Sequence, residues 1–263
     1  DALLDYQGGL EAYHREDAWR KSVPTHFAWN LREMVRLCRE RPVPLVFVTP
    51  ASNLRDCPPI KMEINPDLTD AQTEEFAKYW ETAISEVDRL RAMEQTERAL
   101  EIDPQHAGAL FLLGTLQLIG RDYESAKENL SLARDHDVCP LRAPSELVEI
   151  FHAVASETET LVVDAQELFS ALSDHEIVGN KWLVDHIHPS VEGHQRLAQA
   201  IVARCQQAGL IKTTNEAWQV ERSVAYQSHL ASLGEEYFHR AKQRLAGLML
   251  WTQGRAQKVR PEP

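Results

Sequence analysis

Apolar residues recur at helical spacing from His26 to Arg41, and Pro42 follows directly. The segment 44–50 is a β-branched and aromatic apolar run between two prolines, which predicts a fully buried strand. A helix followed by a short buried strand is the repeating unit of a parallel sheet. The pattern therefore predicts a helix over 26–41 and a strand over 44–50.

The same unit recurs in the second half of the chain. Ser145 is a plausible helix cap before an apolar stripe, and the segment 160–164 predicts a second buried strand. A last amphipathic helix runs from Val191 to Ala208, and Gly209 ends it. These pieces predict a layered α/β domain whose two parts are separated in the sequence.

The intervening segment, Thr69 to Ala133, has a helical composition with small residues at regular intervals. Gly114 and Ala126 are small enough for two neighbouring helices to approach closely. The residues that match a pattern with a period of about 34 residues are Ala92, Ala99, Pro104, Ala107, Leu110, Leu113, Gly114, Ala126 and Ala133. This segment resembles the tetratricopeptide repeat, although only about one and a half units match. We expect a helical insertion packed on the α/β domain, with a simple two-helix hairpin as the alternative.

These patterns divide the chain into four segments. Residues 1–68 and 141–212 form the two parts of the α/β domain, and residues 69–140 form the helical insertion. Residues 213–263 form a C-terminal helical extension, in which the amphipathic stretch 215–247 predicts two helices.

Composition and charge exclude several classes of protein. The hydrophobic share of 43% is too high for a chain that is mainly disordered. With 28 basic and 40 acidic residues the net charge is −12, so we expect no nucleic-acid partner. The most apolar stretch, 107–120, is interrupted by Thr115 and Gln117 and is too short for a membrane span. Four cysteines without a C-x-x-C pair predict buried or free thiols, not a zinc site or a disulfide framework.

Titratable residues concentrate between 184 and 194, just before the last predicted helix. Asp185 lies three residues before His188, and a carboxylate so placed can orient an imidazole as a general base. Asp103 and His106 have the same spacing but fall within the repeat-like helices. The segment around Asp185 instead follows a buried strand and leads into a helix, as ligand sites at the edge of a parallel sheet do.

The block Asp185 to Pro189, followed by Gly193 and a helix, resembles the last block of the SGNH or GDSL-type ester hydrolases. The resemblance covers about residues 26–60 and 145–208. It implies the α/β class, with a partial flavodoxin-like three-layer parallel sheet. It also implies that His188 is the general base and acid, that Asp185 orients it, and that no cofactor is needed. With the helical insert and the stretch 52–59, the chain looks like a bacterial SGNH subgroup that carries tetratricopeptide repeats.

The nucleophile block of that family is absent from this sequence. No Ser follows Gly-Asp, the oxyanion-hole glycine and the Gly-x-Asn-Asp block are missing, and Ser22 is the only Ser before His26. We expect the nucleophilic Ser to lie outside this chain, so that the chain alone has no activity. The substrate would be a small-molecule or glycan ester, such as an acyl or acetyl ester. The sequence leaves the compartment open between cell envelope and cytoplasm.

Asn53 and Arg55 follow the first predicted strand, at the end where open α/β sheets bind ligands. Arg55 could bind an anionic group of the substrate. The alternative is that Asn53 forms a turn and that Arg55 pairs with Asp56 or another carboxylate. Asp164, after the second predicted strand, is expected to cap the following segment.

Two other functions remain open from the sequence. Asp185, His186 and His188 could be metal ligands, because two histidines separated by one residue can bind zinc or iron. Alternatively, the chain could be a scaffolding protein that binds a protein partner through its helical repeats, with a degenerate hydrolase domain.

Overall fold

The computed structural model describes residues 9–16, 20–41, 43–212 and 217–255. The ends of the predicted segments 1–68 and 213–263 therefore lie outside the described residues. Ten α-helices and two strands follow in this order within the described ranges: α1 (Ser22–Arg39), β1 (Val46–Val48), α2 (Asp70–Ser85), α3 (Arg89–Ile102), α4 (Ala107–Ile119), α5 (Tyr123–Asp135), α6 (Ser145–Glu157), β2 (Leu161–Val163), α7 (Ala165–Ala171), α8 (Val191–Gln207), α9 (Trp218–Ser232) and α10 (Gly234–Arg255).

The prediction of a flavodoxin-like three-layer parallel sheet is wrong. The protein is mostly helical, and its described part contains one sheet of two strands. Strands β1 and β2 are parallel, with Phe47 opposite Val162. Between them the chain forms helices and an extended segment, 49–68, in which backbone N–H groups of Ile60, Lys61 and Asn65 bond to the carboxylates of Asp137 and Asp103. The predicted strands are thus present, but no third strand joins them in the described residues.

Helices α1 and α6 cover one face of this small sheet. Leu31 and Val35 of α1 and Val154 of α6 pack around Phe47 of β1. Phe151 meets the ring of Phe47 edge-on, with the ring centroids 5.6 Å apart. Spacings of three and four residues along α1 and α6 put these apolar side chains on one face, which explains why both helices dock here.

The other end of the sheet is covered by α7, α8 and the loop between them. Phe169 of α7 stacks on Trp182 of the loop, with the ring centroids 5.9 Å apart. Val48 of β1 and Leu197 of α8 pack against the same cluster. This apolar cluster fixes the loop 172–190, which carries the predicted site, against the ends of the strands.

The predicted insertion 69–140 contains four helices arranged as two hairpins, α2 with α3 and α4 with α5. At the second hairpin Gly114 faces Leu130, and Ala126 is fully buried. Each helix begins at a side-chain cap, for example Thr69 for α2 and Asp122 for α5. The close approach at Gly114 and Ala126 is the one that the sequence predicted.

The extended segment 49–68 lies against the apolar side chains of these hairpins. Leu54 packs on Ala126 and Leu130, and Met62 packs in the cluster formed by the other helices of the insertion. Farther along, the backbone N–H of Asn65 donates to the buried carboxylate of Asp103 at 3.0 Å. Helices α2 to α5 together form the helical unit of this protein. The extended segment 49–68 covers the side of this unit that contains Ala126, Leu130 and Asp103.

The two helices predicted over 215–247 are present as α9 and α10, and α10 continues beyond that range to Arg255. Their described side chains include no buried residue. Among the helices that the structure describes, none combines the length and apolar character that crossing a bilayer requires.

Substituting Gly114 by Ala tests the close packing of α4 on α5. The added Cβ would lie 2.8 Å from Cγ of Leu130 and 3.1 Å from its backbone nitrogen. Because backbone atoms cannot move aside, we expect a loss of about 1–3 kcal/mol in the free energy of unfolding, measured by urea titration. The control is Gly247→Ala in α10, where a Cβ meets no atom within 4 Å. A stability of Gly114→Ala equal to that of the control would contradict this packing.

Candidate acid–base site

Asp185 and His188 are brought together by a tight turn. One carboxylate oxygen, Oδ1, accepts hydrogen bonds from the backbone N–H groups of Ile187, at 2.9 Å, and His188, at 2.8 Å. The other oxygen, Oδ2, lies 2.7 Å from Nδ1 of His188. The backbone N–H of Val184 donates to the carbonyl of His188 at 2.8 Å and closes the loop. The carboxylate is thus held from two sides, by the backbone and by the imidazole.

The two side chains differ strongly in exposure. The Asp185 side chain is 5% exposed, whereas that of His188 is 63% exposed. Because Nδ1 faces the carboxylate, Nε2 lies on the opposite side of the ring, and no described residue forms a hydrogen bond with it. A buried carboxylate that holds one nitrogen of an exposed imidazole leaves the other nitrogen able to exchange a proton with a bound molecule.

The surroundings of Asp185 favour its ionised form. Burial by itself raises the pKa of this carboxyl group, but the hydrogen bonds from the backbone of His188 and Ile187 and from the His188 ring outweigh it. The net result is a pKa below the usual value for Asp. Asp185 is therefore a carboxylate at neutral pH and can balance a positive charge on His188.

Helix α8 begins directly after this turn. Ser190 caps it by accepting a hydrogen bond from the backbone N–H of Gly193 at 3.1 Å. A Cβ at Gly193 would lie 2.5 Å from the carbonyl oxygen of Trp182. The glycine after the Asp-x-x-His-Pro block therefore lets α8 pack closely on the loop that carries Asp185.

Asn53 lies beside the pair, inside the protein. It is fully buried, and its Nδ2 donates to Oδ1 of Asn180 at 2.8 Å and to the carbonyl of Asp185 at 3.3 Å. Its Oδ1 accepts from the backbone N–H of Asp56 at 3.0 Å. Its amide is thus engaged by the protein, as in the turn that the sequence left open as the alternative. A contact between Asn53 and a substrate stays a prediction without support from this geometry.

Arg55 adopts the other arrangement that the sequence left open. Its Nε lies 3.2 Å from the Asp56 carboxylate, and its side chain is 38% exposed. The second Asp56 oxygen accepts from the backbone N–H of Asn180 at 2.6 Å. The guanidinium therefore lies at the surface near Asn180, where substrate binding stays a prediction.

Sequence reasoning missed Arg142, a buried cation beside Asn53. Arg142 donates from Nη1 to the carbonyl oxygens of Asn53 and Cys57, at 2.8 and 2.7 Å. Burial raises the pKa of the Cys57 thiol to about 12 and lowers that of His186 to about 4. All four cysteines are free thiols, as predicted. No periodic pattern marks Arg142, because it lies in a loop and its partners are distant in the sequence.

Asp164 caps α7, as predicted, by accepting from the backbone N–H of Glu167 at 2.8 Å. Its other oxygen lies 2.6 Å from Nε2 of His152, whose side chain is 46% exposed. The hydroxyl of Thr49 donates to Asp164 at 3.0 Å. This second pairing of an Asp with an exposed His was also missed, because His152 and Asp164 have no motif spacing.

The metal-binding alternative gains no support from the geometry. Across the described ranges, no three His, Cys, Asp or Glu side chains come together in a way that could hold a metal ion. His186 is buried, whereas His188 is exposed and bonded to Asp185. The two histidines of the motif therefore lie in different environments.

Comparison with known proteins assigns no family to this chain. No protein-family model, curated protein or solved structure matches it. Any functional conclusion must therefore rest on the side chains of the site.

The buried histidines predict how stability depends on pH. Burial lowers the pKa of His106 and of His186 from 6.5 to about 4. The unfolded chain therefore binds protons between these pH values that the folded protein does not. The contribution of each neutral, buried histidine to the free energy of unfolding is fully present above pH 6.5. It is lost as the pH falls through 4, by up to about 3 kcal/mol for each histidine.

His106→Asn isolates one of these contributions. Asn can still cap α4, as Nδ1 of His106 does by accepting from Ala109, but it does not titrate. We expect a shallower decline of unfolding free energy with acid, measured by urea titration across this pH range. Burial raises the pKa of Asp137 to about 6, but its opposite contribution is common to both proteins and cancels. Identical slopes for the two proteins would disprove the assignment to His106.

Proposed function

We propose that Asp185 and His188 are the acid–base half of an SGNH-type ester hydrolase site, with the nucleophilic Ser supplied by residues outside this sequence. The observation that supports this is the 2.7 Å contact between the buried Asp185 carboxylate and Nδ1 of the exposed His188 ring. This is the arrangement that a general base for a hydroxyl group requires.

In the proposed reaction His188 accepts and returns one proton. The Ser hydroxyl gives its proton to Nε2 of His188 while its oxygen bonds to the ester carbonyl carbon. The alcohol then leaves with that proton, and an acyl–Ser ester remains. Water repeats both steps and releases the acid and the free Ser. Asp185 stabilises the imidazolium that forms in each step, and the substrate is a small-molecule or glycan ester with an acyl or acetyl group.

The hydroxyl groups near the site support a nucleophile from elsewhere. Ser190 donates to the carbonyl of Lys181 at 3.0 Å and caps α8, so its hydroxyl has a structural use. Ser52 is 1% exposed, which keeps its hydroxyl away from a substrate.

The scaffolding alternative has less support. A scaffold of helical repeats needs an open face for its partner, whereas the chain's own segment with Leu54 and Met62 packs on this helical unit. Scaffolding also gives no reason for a buried carboxylate that holds an exposed imidazole. We therefore favour the hydrolase.

His188→Ala in the protein expressed from its complete reading frame tests the proposal. Loss of the general base should lower kcat/KM for p-nitrophenyl acetate by about 10²- to 10⁴-fold. Asp185→Asn should act in the same direction, because the imidazolium then loses its counter-charge. Labelling with a fluorophosphonate, followed by mass spectrometry, should identify the modified Ser and should slow in parallel in both variants.

His152→Ala is the matched control, because His152 is also an exposed imidazole bonded to an Asp. It should leave hydrolysis unchanged. The proposal fails if the unmodified protein neither hydrolyses the probe nor reacts with the fluorophosphonate. It also fails if His188→Ala is as active as the unmodified protein.

A further inference from the structure

Arg142 is a buried cation that holds the segment next to the acid–base pair. Its side chain is 1% exposed, and Nη1 donates to two backbone carbonyls, those of Asn53 and Cys57. These bonds tie the start of the segment 53–61 to the loop that connects the helical unit with α6. A hydrogen bond from a charged group to a buried carbonyl is stronger than one between neutral groups.

Asp137 holds the other end of the same segment. Its carboxylate accepts from the backbone N–H groups of Ile60, at 2.7 Å, and Lys61, at 3.0 Å. It lies 3.8 Å from Nη2 of Arg142, and both side chains are 1% exposed. The two buried charges therefore fix both ends of the segment 53–61 from the end of the helical unit.

Asn53 connects this segment with the acid–base pair. Its backbone N–H donates to the carbonyl of His186 at 3.0 Å, and its Nδ2 donates to the carbonyl of Asp185. A continuous series of hydrogen bonds therefore runs from the guanidinium of Arg142, through Asn53, to the backbone of the residue that orients His188.

The free-energy cost of burying Arg142 suggests a role for this residue beyond stabilising the fold. Within the described residues, Nε and Nη2 of Arg142 have no hydrogen-bond partner, so the cost of burying the cation is only partly offset. Buried ion pairs of this kind are often no more stable than apolar replacements, and fixing one local geometry is a documented use for them.

We propose that Arg142 is a positioning residue, which acts through Asn53 to hold the backbone of Asp185 so that its carboxylate stays aligned with His188. This proposal rests on the function proposed above. The helical unit then contributes to catalysis by supplying the residues that fix the segment 53–61. A shift of about 1 Å in a catalytic group can cost about 10²-fold in rate, so this alignment is worth maintaining.

Arg142→Met removes the hydrogen bond from the guanidinium to the carbonyl of Asn53, and Asn53→Ala removes the one from Nδ2 of Asn53 to the carbonyl of Asp185. We expect each to lower kcat for p-nitrophenyl acetate about tenfold or more, with KM within about twofold, because the pair and not the substrate contact is disturbed. Arg142→Lys, which keeps the charge and one carbonyl contact, should recover part of kcat. The matched control is Arg134→Met, because Arg134 is also a buried Arg but bonds to Asp135 and Ser145 instead. It should leave kcat unchanged.

A second measurement does not depend on activity. In protein with ¹⁵N-labelled histidine, NMR should detect the proton between Nδ1 of His188 and Asp185, and Asn53→Ala should weaken or remove its signal while Arg134→Met keeps it. If the unmodified protein shows the signal but no hydrolysis, the proposed function fails, and loss of the signal in Asn53→Ala still supports the positioning role.

Arg142→Met and Asn53→Ala together can overturn the positioning role. If Arg142→Met does not fold, the kcat and the NMR signal of Asn53→Ala test the positioning role, because this substitution removes one side-chain amide and leaves the buried charges of Arg142 and Asp137 in place. A folded Asn53→Ala with the signal and kcat of the unmodified protein overturns the proposal. So does a loss of kcat in Arg134→Met as large as that in Arg142→Met.

Discussion

The site depends on one buried carboxylate with three hydrogen bonds. Asp185 accepts two bonds from the backbone of its own turn and one from the ring of His188. The backbone bonds keep the carboxylate ionised in spite of its burial, and the ring bond then fixes the imidazole at the surface. Without that desolvated charge, the turn would lose its shape and the exposed ring would lose its orientation.

Two structural units support the turn that carries this carboxylate, one directly and the other through the segment 53–61. The small sheet with α1, α6, α7 and α8 supplies the turn, and the helical hairpins supply Asp137 and the loop with Arg142. The segment 53–61 runs between the units and is bonded to both. The helical unit therefore supports the segment 53–61, which lies next to the acid–base pair.

The local features of this protein could be read from its sequence, and the distant contacts could not. The strand around Phe47, the close approach at Gly114 and the spacing of Asp185 and His188 follow from neighbouring residues. The predicted three-layer sheet was wrong, because a count of strands depends on which segments meet in space. Asn53 was placed at the correct end of a strand, but its burial depends on Asn180 and Asp185, more than a hundred residues away.

The thiol of Cys57 gives this segment a natural chemical reporter. Burial raises its pKa to about 12; Arg142 lowers it, and the charges of Asp185 and Asp56 raise it further. Because the thiolate is the reactive species, alkylating reagents can attack only during transient openings that admit water. The rate of modification at Cys57 therefore reports how readily the segment 53–61 separates from Arg142 and Asp137. Motion beside the His188 ring can thus be followed without any substrate.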